Sequence, residues 1–367
     1  PDHHVMGATV IIDKSFSREW IQEKRKAYKG VDPGLIEKQI YVFELLHHLA
    51  QSGKEFVFKG GTSLHLILPD HRRLSTDLDV VGAFSLDELS NLIEKSRFVR
   101  VEENIRKRRA IPKRHFKFFY PSTVDRRESY VLLDTLELSH TYPKLEKRSI
   151  ASKLFETDGD LVVQTPSREG ILGDKLTVFA PHTVGIPFGV GKSMEIIKQL
   201  FDIGELFDNC SDVRIMIDAY NATQAQESGF RRPKYSPEAS LQDTIQSSYL
   251  VSQCLLKGSV SNIETAEIAA GLKQIENHLL GVPFRIDQAR VAASKIALLA
   301  AIVQKGDAGL SLDEMRYESS KDEGLFKTEL SGAYEILNRL KKLRQLEAFH
   351  YWVQVSRIQQ SGRGTPG

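Results

Sequence analysis

A chain of 367 residues, 41% of them hydrophobic, is long enough for two domains with cores of their own. Fifty basic against forty-eight acidic side chains leave a formal charge of +2, which excludes a global field for gripping nucleic acid and leaves only local patches. Two cysteines without metal-ligand spacing, Cys210 and Cys254, argue against a disulfide scaffold or a zinc site, and no apolar run nears the ~20 residues of a membrane span. The expectation is a cytoplasmic protein with no membrane partner; Pro1-Asp2-His3-His4-Val5-Met6-Gly7 is polar and does not read as a signal peptide.

Asp32-Pro33 caps a predicted helix over 34–51, with Ile36, Ile40, Phe43 and Leu46 on one stripe. Phe56-Val57-Phe58 is a short β-prone run. Gly60-Gly61 breaks it, and 62–68 reads as a short helix whose leading backbone N–H groups attract anions. Asp77-Leu78-Asp79-Val80 then alternates polar and apolar, as a half-buried strand does. Side chains at i and i+2 share a strand face, so Asp77 and Asp79 project together while Leu78 and Val80 face a core. Two adjacent carboxylates repel unless a cation lies between them, and a divalent metal carrying nucleotide phosphates suits that position.

Further along, the pattern predicts a helix over 85–95 and strands over 98–101, 115–120 and 130–138. Thr165-Pro166 is expected to open a helix running to 179, followed by another over 193–207. Residues 228–237, with Gly229, Pro233 and Pro237, have linker chemistry. Beyond them helices are expected over 241–256, 263–280, 286–305 and 327–346, with a disordered tail from 361. The predicted class is α+β: a small mixed β-sheet core with flanking helices over 8–227, then an all-helical domain over 238–360.

Lys59-Gly60-Gly61-Thr62-Ser63-Leu64 followed by Arg73-Leu74-Ser75-Thr76-Asp77-Leu78-Asp79 resembles the Gly-Gly-Thr-x-Leu and Arg-x-Ser-x-Asp-x-Asp motifs of the AbiEii/AbiGii and MenT nucleotidyltransferase toxins. These are a branch of the DNA polymerase β-like nucleotidyltransferases. The stretch between the motifs is longer here than in the family, the extra length falling in Pro69-Asp70-His71-Arg72. The resemblance implies an Mg2+-dependent transferase of nucleotides from a nucleoside triphosphate to an acceptor hydroxyl. Gly60, Gly61, Thr62 and Ser63 would carry the phosphates, Arg73 and Ser75 would orient them, and Asp77, Asp79 and a third acid would hold Mg2+. It also implies a toxin of a bacterial toxin–antitoxin or phage-defence pair, a cognate antitoxin encoded next to it, and the 3′ end of a transfer RNA as an acceptor. Two other readings stay open: transfer to a protein hydroxyl, and a nucleotide-binding module without turnover.

The third acid has two candidates, Asp134 and Glu137, which face opposite sides of a regular strand, so only one can join the metal. Glu137 is favoured because the family's strand acid is followed some six residues on by proline, as Glu137 is by Pro143. Glu169, Ile171, Leu172, Asp174, Lys175 and Leu176 resemble the family's Glu-x-Ile-Leu-x-Glu-Lys-Leu helix, in which the lysine contacts nucleotide phosphates. Alone, Lys175 beside Ile171 and Phe179 reads equally as a snorkelling lysine. Lys198-Gln199-Leu200-Phe201-Asp202-Ile203 resembles the family's basic-Asp-x-x-Asp-Leu motif with Gln199 in place of its first acid. Asp202 is then a candidate proton acceptor, against the alternative of a plain i,i+4 pair with Lys198. Gly189-Val190-Gly191-Lys192-Ser193 ends like a P-loop but lacks its first glycine and a preceding strand, and reads as the loop before a helix.

Arg97, Arg100, Arg106, Lys107, Arg108, Arg109, Lys113, Arg114 and Lys117 form a basic run close to Phe116, Phe118, Phe119 and Tyr120. It reads either as an RNA-gripping patch with stacking aromatics or as a solvated strand face over a buried stripe. Lys327, Arg339, Lys341, Lys342 and Arg344 make a second expected basic helix face.

Overall fold

The computed structural model describes residues 11–105, 111–306 and 309–361. The chain divides into two compact units, the first made of residues up to 140 with 144–167 and 277–282, the second of 141–143, 168–276 and 283 onward. The segment 228–237, expected as a linker, lies inside the second unit. There Gln224 Nε2 and Ser228 Oγ donate to the Tyr235 carbonyl at 2.9 and 2.7 Å, tying it back to the preceding helix.

The first unit carries helices α1 (Arg18–Ala27), α2 (Pro33–Gln51), α3 (Gly60–Ile67) and α4 (Leu86–Ile93) around seven strands. These are β1 (Val57–Lys59), β2 (Asp77–Val81), β3 (Arg100–Glu103), β4 (Lys113–Pro121), β5 (Glu128–Leu136), β6 (Leu145–Ser149) and β7 (Val162–Pro166). They form one mixed sheet in the order β3-β4-β5-β2-β1-β7-β6, with β2 parallel to β5 and β1 parallel to β7.

One face of the sheet is the core. Phe58, Leu78, Val80, Phe116, Phe118, Tyr120, Val131 and Leu133 alternate inward and pack with Ile36, Ile40, Phe43 and Leu46 of α2. The expected stripe on α2 is buried, and so are Tyr41, Val42 and Leu45 beside it. Asp32 accepts from the N–H groups of Gly34 and Leu35 at the head of this helix, as its sequence requires.

The second unit contains α5 (Arg168–Val178), α6 (Ser193–Asn209), α7 (Val213–Gly229), α8 (Pro237–Gln253), α9 (Ile263–Ile275) and α10 (Ile286–Lys305). Three short pieces, α11 (Leu312–Met315), α12 (Asp322–Lys327) and α13 (Arg339–Lys342), lead to α14 (Leu346–Ser361). α10 is buried on nearly every side and packs against α6, α8 and α14, which is why its sequence is apolar all round. α5 and α7 approach closely at Gly173, where a Cβ would lie 2.5 Å from the Met216 carbonyl. Among the described residues no helix is long and apolar enough to cross a membrane.

The expectations fail in three places. Thr165-Pro166 ends β7 instead of opening a helix, because proline forces the preceding residue toward extended backbone; the helix starts at Arg168. The helix expected over 327–346 is broken: Thr328 is extended and Gly332 takes φ +63°. Its basic residues share no single face, and Lys327 and Lys341 pair with Glu323 and Glu329. Finally α1, α7, α14 and the strands β6 and β7 had no counterpart in the predicted elements.

Candidate active site

The site begins at the join of β1 and α3. Gly60 has φ +76°, and a Cβ there would lie 2.2 Å from Asp79 Oδ2, so only glycine lets the chain turn this close to the acid. At Gly61 a Cβ would meet Arg73 Nη2 at 2.6 Å and Ser75 Oγ at 3.1 Å. The two motifs of the sequence are therefore in contact: the glycines lie directly against Arg73, Ser75 and Asp79. Replacing Gly60 with alanine is expected to cost at least ~1–2 kcal/mol in a chemical-denaturation midpoint and to displace Asp79. An unchanged midpoint would show that the turn tolerates a side chain.

The hydroxyls of Thr62 and Ser63 are buried and committed to backbone. Thr62 Oγ1 donates to the Asp77 carbonyl at 2.5 Å and Ser63 Oγ to the Gly60 carbonyl at 2.8 Å. What α3 can offer an anion is thus its leading N–H groups. Arg73 is 2% exposed, with Nη1 donating to the Leu74 carbonyl at 3.0 Å. Its backbone is clamped by an antiparallel bridge to Leu279 and by the Leu74 N–H, which donates to the His278 carbonyl at 2.7 Å. Gln39 of α2 accepts the Ser75 N–H at 2.7 Å.

The acids sit on the open face of the sheet, opposite the core. Register places His115, Asp134, Asp79 and Lys59 in one cross-strand row over β4, β5, β2 and β1. Paired residues share a face, so these four side chains are neighbours. His115, buried, holds Asp134 Oδ1 through Nδ1 at 2.7 Å. Asp77 is exposed at the head of β2, one face-step from Asp79. Burial, then the negative charges of Asp134 and Asp77, hold the Asp79 carboxyl up at about 6, opposed by Lys113 and Lys59.

Glu137, expected as the third acid, lies just past the end of β5, exposed, with its carboxylate 3.6 Å from Arg114. The acid beside Asp79 is Asp134. The parallel register of β2 on β5 decides between them: Asp134 pairs with Asp79 and shares its face, whereas Glu137 lies an odd number of residues further on.

Lys175 and Asp202 belong to the second unit. Lys175 Nζ donates to Asp202 Oδ2 at 2.8 Å and to Gln199 Oε1 at 3.1 Å, joining α5 to α6. Both charged side chains are buried, so Lys175 does not snorkel, and the partner of Asp202 is Lys175 rather than the i,i+4 neighbour Lys198 alone. Asp174, the departure from the family pattern, accepts from the Tyr142 hydroxyl. Gly189 and Gly191 lie in the loop before α6 with φ +80° and +72°, and no strand precedes it.

Three of the five described cations of the expected basic run are engaged in ion pairs. Arg97 pairs with Asp13 and Glu44, Arg100 with Glu102 and Glu128, and Arg114 with Glu103. Phe116, Phe118 and Tyr120 are core; Phe119 alone faces the other way, under the Arg100 guanidinium. Arg106, Lys107, Arg108 and Arg109 lie outside the described residues. Sequence reasoning missed His115, Lys59 and Lys38 as neighbours of the acids. The period-2 spacing of Lys113, His115 and Lys117 was the available signal for a shared face.

The residues present fit Mg2+. It is a hard cation that takes one or two carboxylates and completes its shell with water and phosphate oxygens. Among the described residues no three His, Cys, Asp or Glu side chains converge to hold a metal by themselves, so Mg2+ at these acids would need phosphate and water oxygens to complete its shell. The like-charged strain on Asp79 is the kind a cation relieves.

No curated protein matches the chain. Solved structures similar to it include two from Helicobacter pylori. One, described as a nucleotidyltransferase from H. pylori, shares 11% identity at TM-score 0.44, covering 77% of this chain and 99% of its own. The other, JHP933 from Helicobacter pylori, shares 12% at TM-score 0.43, covering 80% and 99%. A family model described as nucleotidyl transferase AbiEii toxin, type IV TA system, matches residues 44–281 and so takes in the glycine turn, the acidic strand, Lys175 and Asp202. Matched over more than half of its length, the chain belongs to the AbiEii nucleotidyltransferase toxins of type IV toxin–antitoxin systems, and is an enzyme whose family implies a nucleotide substrate and an antitoxin partner.

Proposed function

We propose that the protein transfers a nucleotide from a nucleoside triphosphate to an acceptor hydroxyl, with Mg2+ held by Asp77, Asp79 and Asp134. The observation that carries this reading is the contact of Gly60 with Asp79, which puts an anion-attracting helix start beside acids crowded by their own charge. The N–H groups of Gly60, Gly61, Thr62 and Ser63 receive the phosphates. Arg73 and Ser75, packed behind Gly61, brace that turn and bias it toward anions. Mg2+, when bound, supplies neutralisation of phosphate charge and acidifies an acceptor hydroxyl. The acceptor oxygen forms a bond to the α-phosphorus while the bond to the β-phosphate oxygen breaks, and pyrophosphate leaves. By the family's lysine-helix pattern Lys175 is assigned to offset charge developing on the phosphates, Asp202 is the buried partner that holds its ammonium, and the hydroxyl proton passes to solvent. The proposed setting is a phage-defence pair with an antitoxin encoded next to the toxin, and the proposed acceptor is the 3′ end of a transfer RNA.

One incubation with radiolabelled triphosphates, Mg2+, total RNA and total protein tests this. Label in RNA is the expected result; label confined to protein would move the acceptor to a protein hydroxyl, and no label at all would leave a binding module. In the same assay Asp134→Ala is expected to lower transfer on the order of 10²-fold or more, and Glu137→Ala by much less.

A further inference from the structure

Among the described residues around the acids, Lys38 and Lys117 stand apart from the arginines. Arg97, Arg100 and Arg114 are all in ion pairs, whereas neither lysine lies within ion-pair distance of a described carboxylate. Both turn instead to one ring: Lys38 Nζ is 4.9 Å and Lys117 Nζ 4.7 Å from the centroid of Tyr130. A cation–π contact of this kind holds each ammonium in place without neutralising it. Burial lowers the Lys38 ammonium from its usual range, with Asp77 opposing. A partly desolvated ammonium with no ion-pair partner among the described carboxylates is a setting that gains from an incoming anion.

The position follows from register. Lys117, Leu132 and Asp77 form a cross-strand row over β4, β5 and β2, two residues from the row of Asp134 and Asp79, or roughly 7 Å along the strands. β1 and the start of α3 lie on the other flank of β2, tied to Asp77 through Thr62. The acids are thus bordered on both sides by groups that attract anions. The α3 side is assigned above to the triphosphate. The Tyr130 side is left for the other reactant, which must then be an anion as well.

We propose that Lys38 and Lys117, held on Tyr130, bind a phosphodiester of a nucleic-acid acceptor and present its terminal hydroxyl beside Asp77. This rests on the transferase reading. A protein acceptor has no need of such a site.

The test uses the full chain with a fluorescein-labelled RNA of about 12 nucleotides bearing a free 3′ hydroxyl, its binding followed by anisotropy from roughly 50 to 200 mM salt. The double variant Lys38→Gln, Lys117→Gln is expected to bind roughly tenfold more weakly, with the slope of log affinity on log salt smaller by about 1.4, or ~0.7 for each phosphate no longer neutralised. Lys38→Arg with Lys117→Arg keeps the charges and is expected to regain both values, which a misfolded protein would not. Binding of a fluorescent triphosphate with Mg2+ is the internal control and is expected to stay within about twofold, since Lys117 lies on β4, across β5 and β2 from β1 and α3, and Lys38 turns to Tyr130 of β5. RNA affinity and salt slope unchanged in the glutamine variant, with triphosphate still bound, would overturn the proposal; so would RNA that the wild type does not bind. Wild type that binds no triphosphate would instead bring down the transferase reading itself.

Discussion

Asp79→Asn is expected to leave the protein unable to transfer nucleotides and, without metal, more stable at pH 8 than the parent. The carboxyl of Asp79 is held up at about 6 in the folded chain against 3.8 for an ordinary aspartate, chiefly because it is half-buried and faces Asp134 and Asp77. A raised folded value means that folding favours the protonated form. The charged form therefore carries no penalty near pH 3, a growing one between about 4 and 6, and the full one above that. At about 1.4 kcal/mol per pH unit the full penalty is on the order of 3 kcal/mol, and asparagine removes it. Thermal melts of both proteins across this range should diverge: equal at low pH, the asparagine form higher above pH 6. Adding Mg2+ should narrow the gap, because only the parent has the charge that a cation relieves. Transfer should fall on the order of 10²–10³-fold. A parent more stable than the variant at pH 8, with transfer intact in the variant, would show that Asp79 is an ordinary surface acid.

Lys175→Ala is the second large effect, and here stability and transfer should fall together. Asp202 is fully buried and its carboxylate is held by Lys175 at 2.8 Å. Removing the ammonium strands a charge in the interior, which costs about 3–5 kcal/mol. Loss of transfer in that variant alone would prove little. The double change Lys175→Met, Asp202→Leu separates the two effects, since replacing both partners with apolar groups of similar size is often close to neutral. Its denaturation midpoint should recover most of the loss while transfer stays down by more than about 10²-fold. Recovery of transfer along with stability would make the pair a structural bridge between α5 and α6 and nothing more.

The distinction between these two sites shows where sequence reasoning reaches. The glycine turn, the short helix after it and the common face of Asp77 and Asp79 all follow from local rules: a positive φ that only glycine takes easily, and a strand period of two. The cap at Asp32 and the boundaries of α10 were readable for the same reason. β6 was not, because Leu145-Glu146-Lys147-Arg148-Ser149 is a polar edge strand whose only apolar position is its first. The basic run from Arg97 to Arg114 left two readings open because some of its acids, Asp13, Glu44 and Glu128, lie outside it in the chain. Of the acids within it, Glu102 meets Arg100 on the same strand, while Glu103 meets Arg114 only through the pairing of β3 with β4.

The third acid is the sharpest case. Alternation alone said that Asp134 or Glu137 would share the face of Asp77 and Asp79, never both. Choosing between them needs the register of β5 on β2, two parallel strands separated by α4 and a β-hairpin, and one step of slip would exchange the answer. By itself the sequence determined the chemistry and its immediate backbone: a diglycine turn, two acids in step, a lysine and an aspartate on helices. Only the tertiary structure decided which of those groups meet, because pairing between distant segments is set by the burial of whole faces and leaves no mark in any short window.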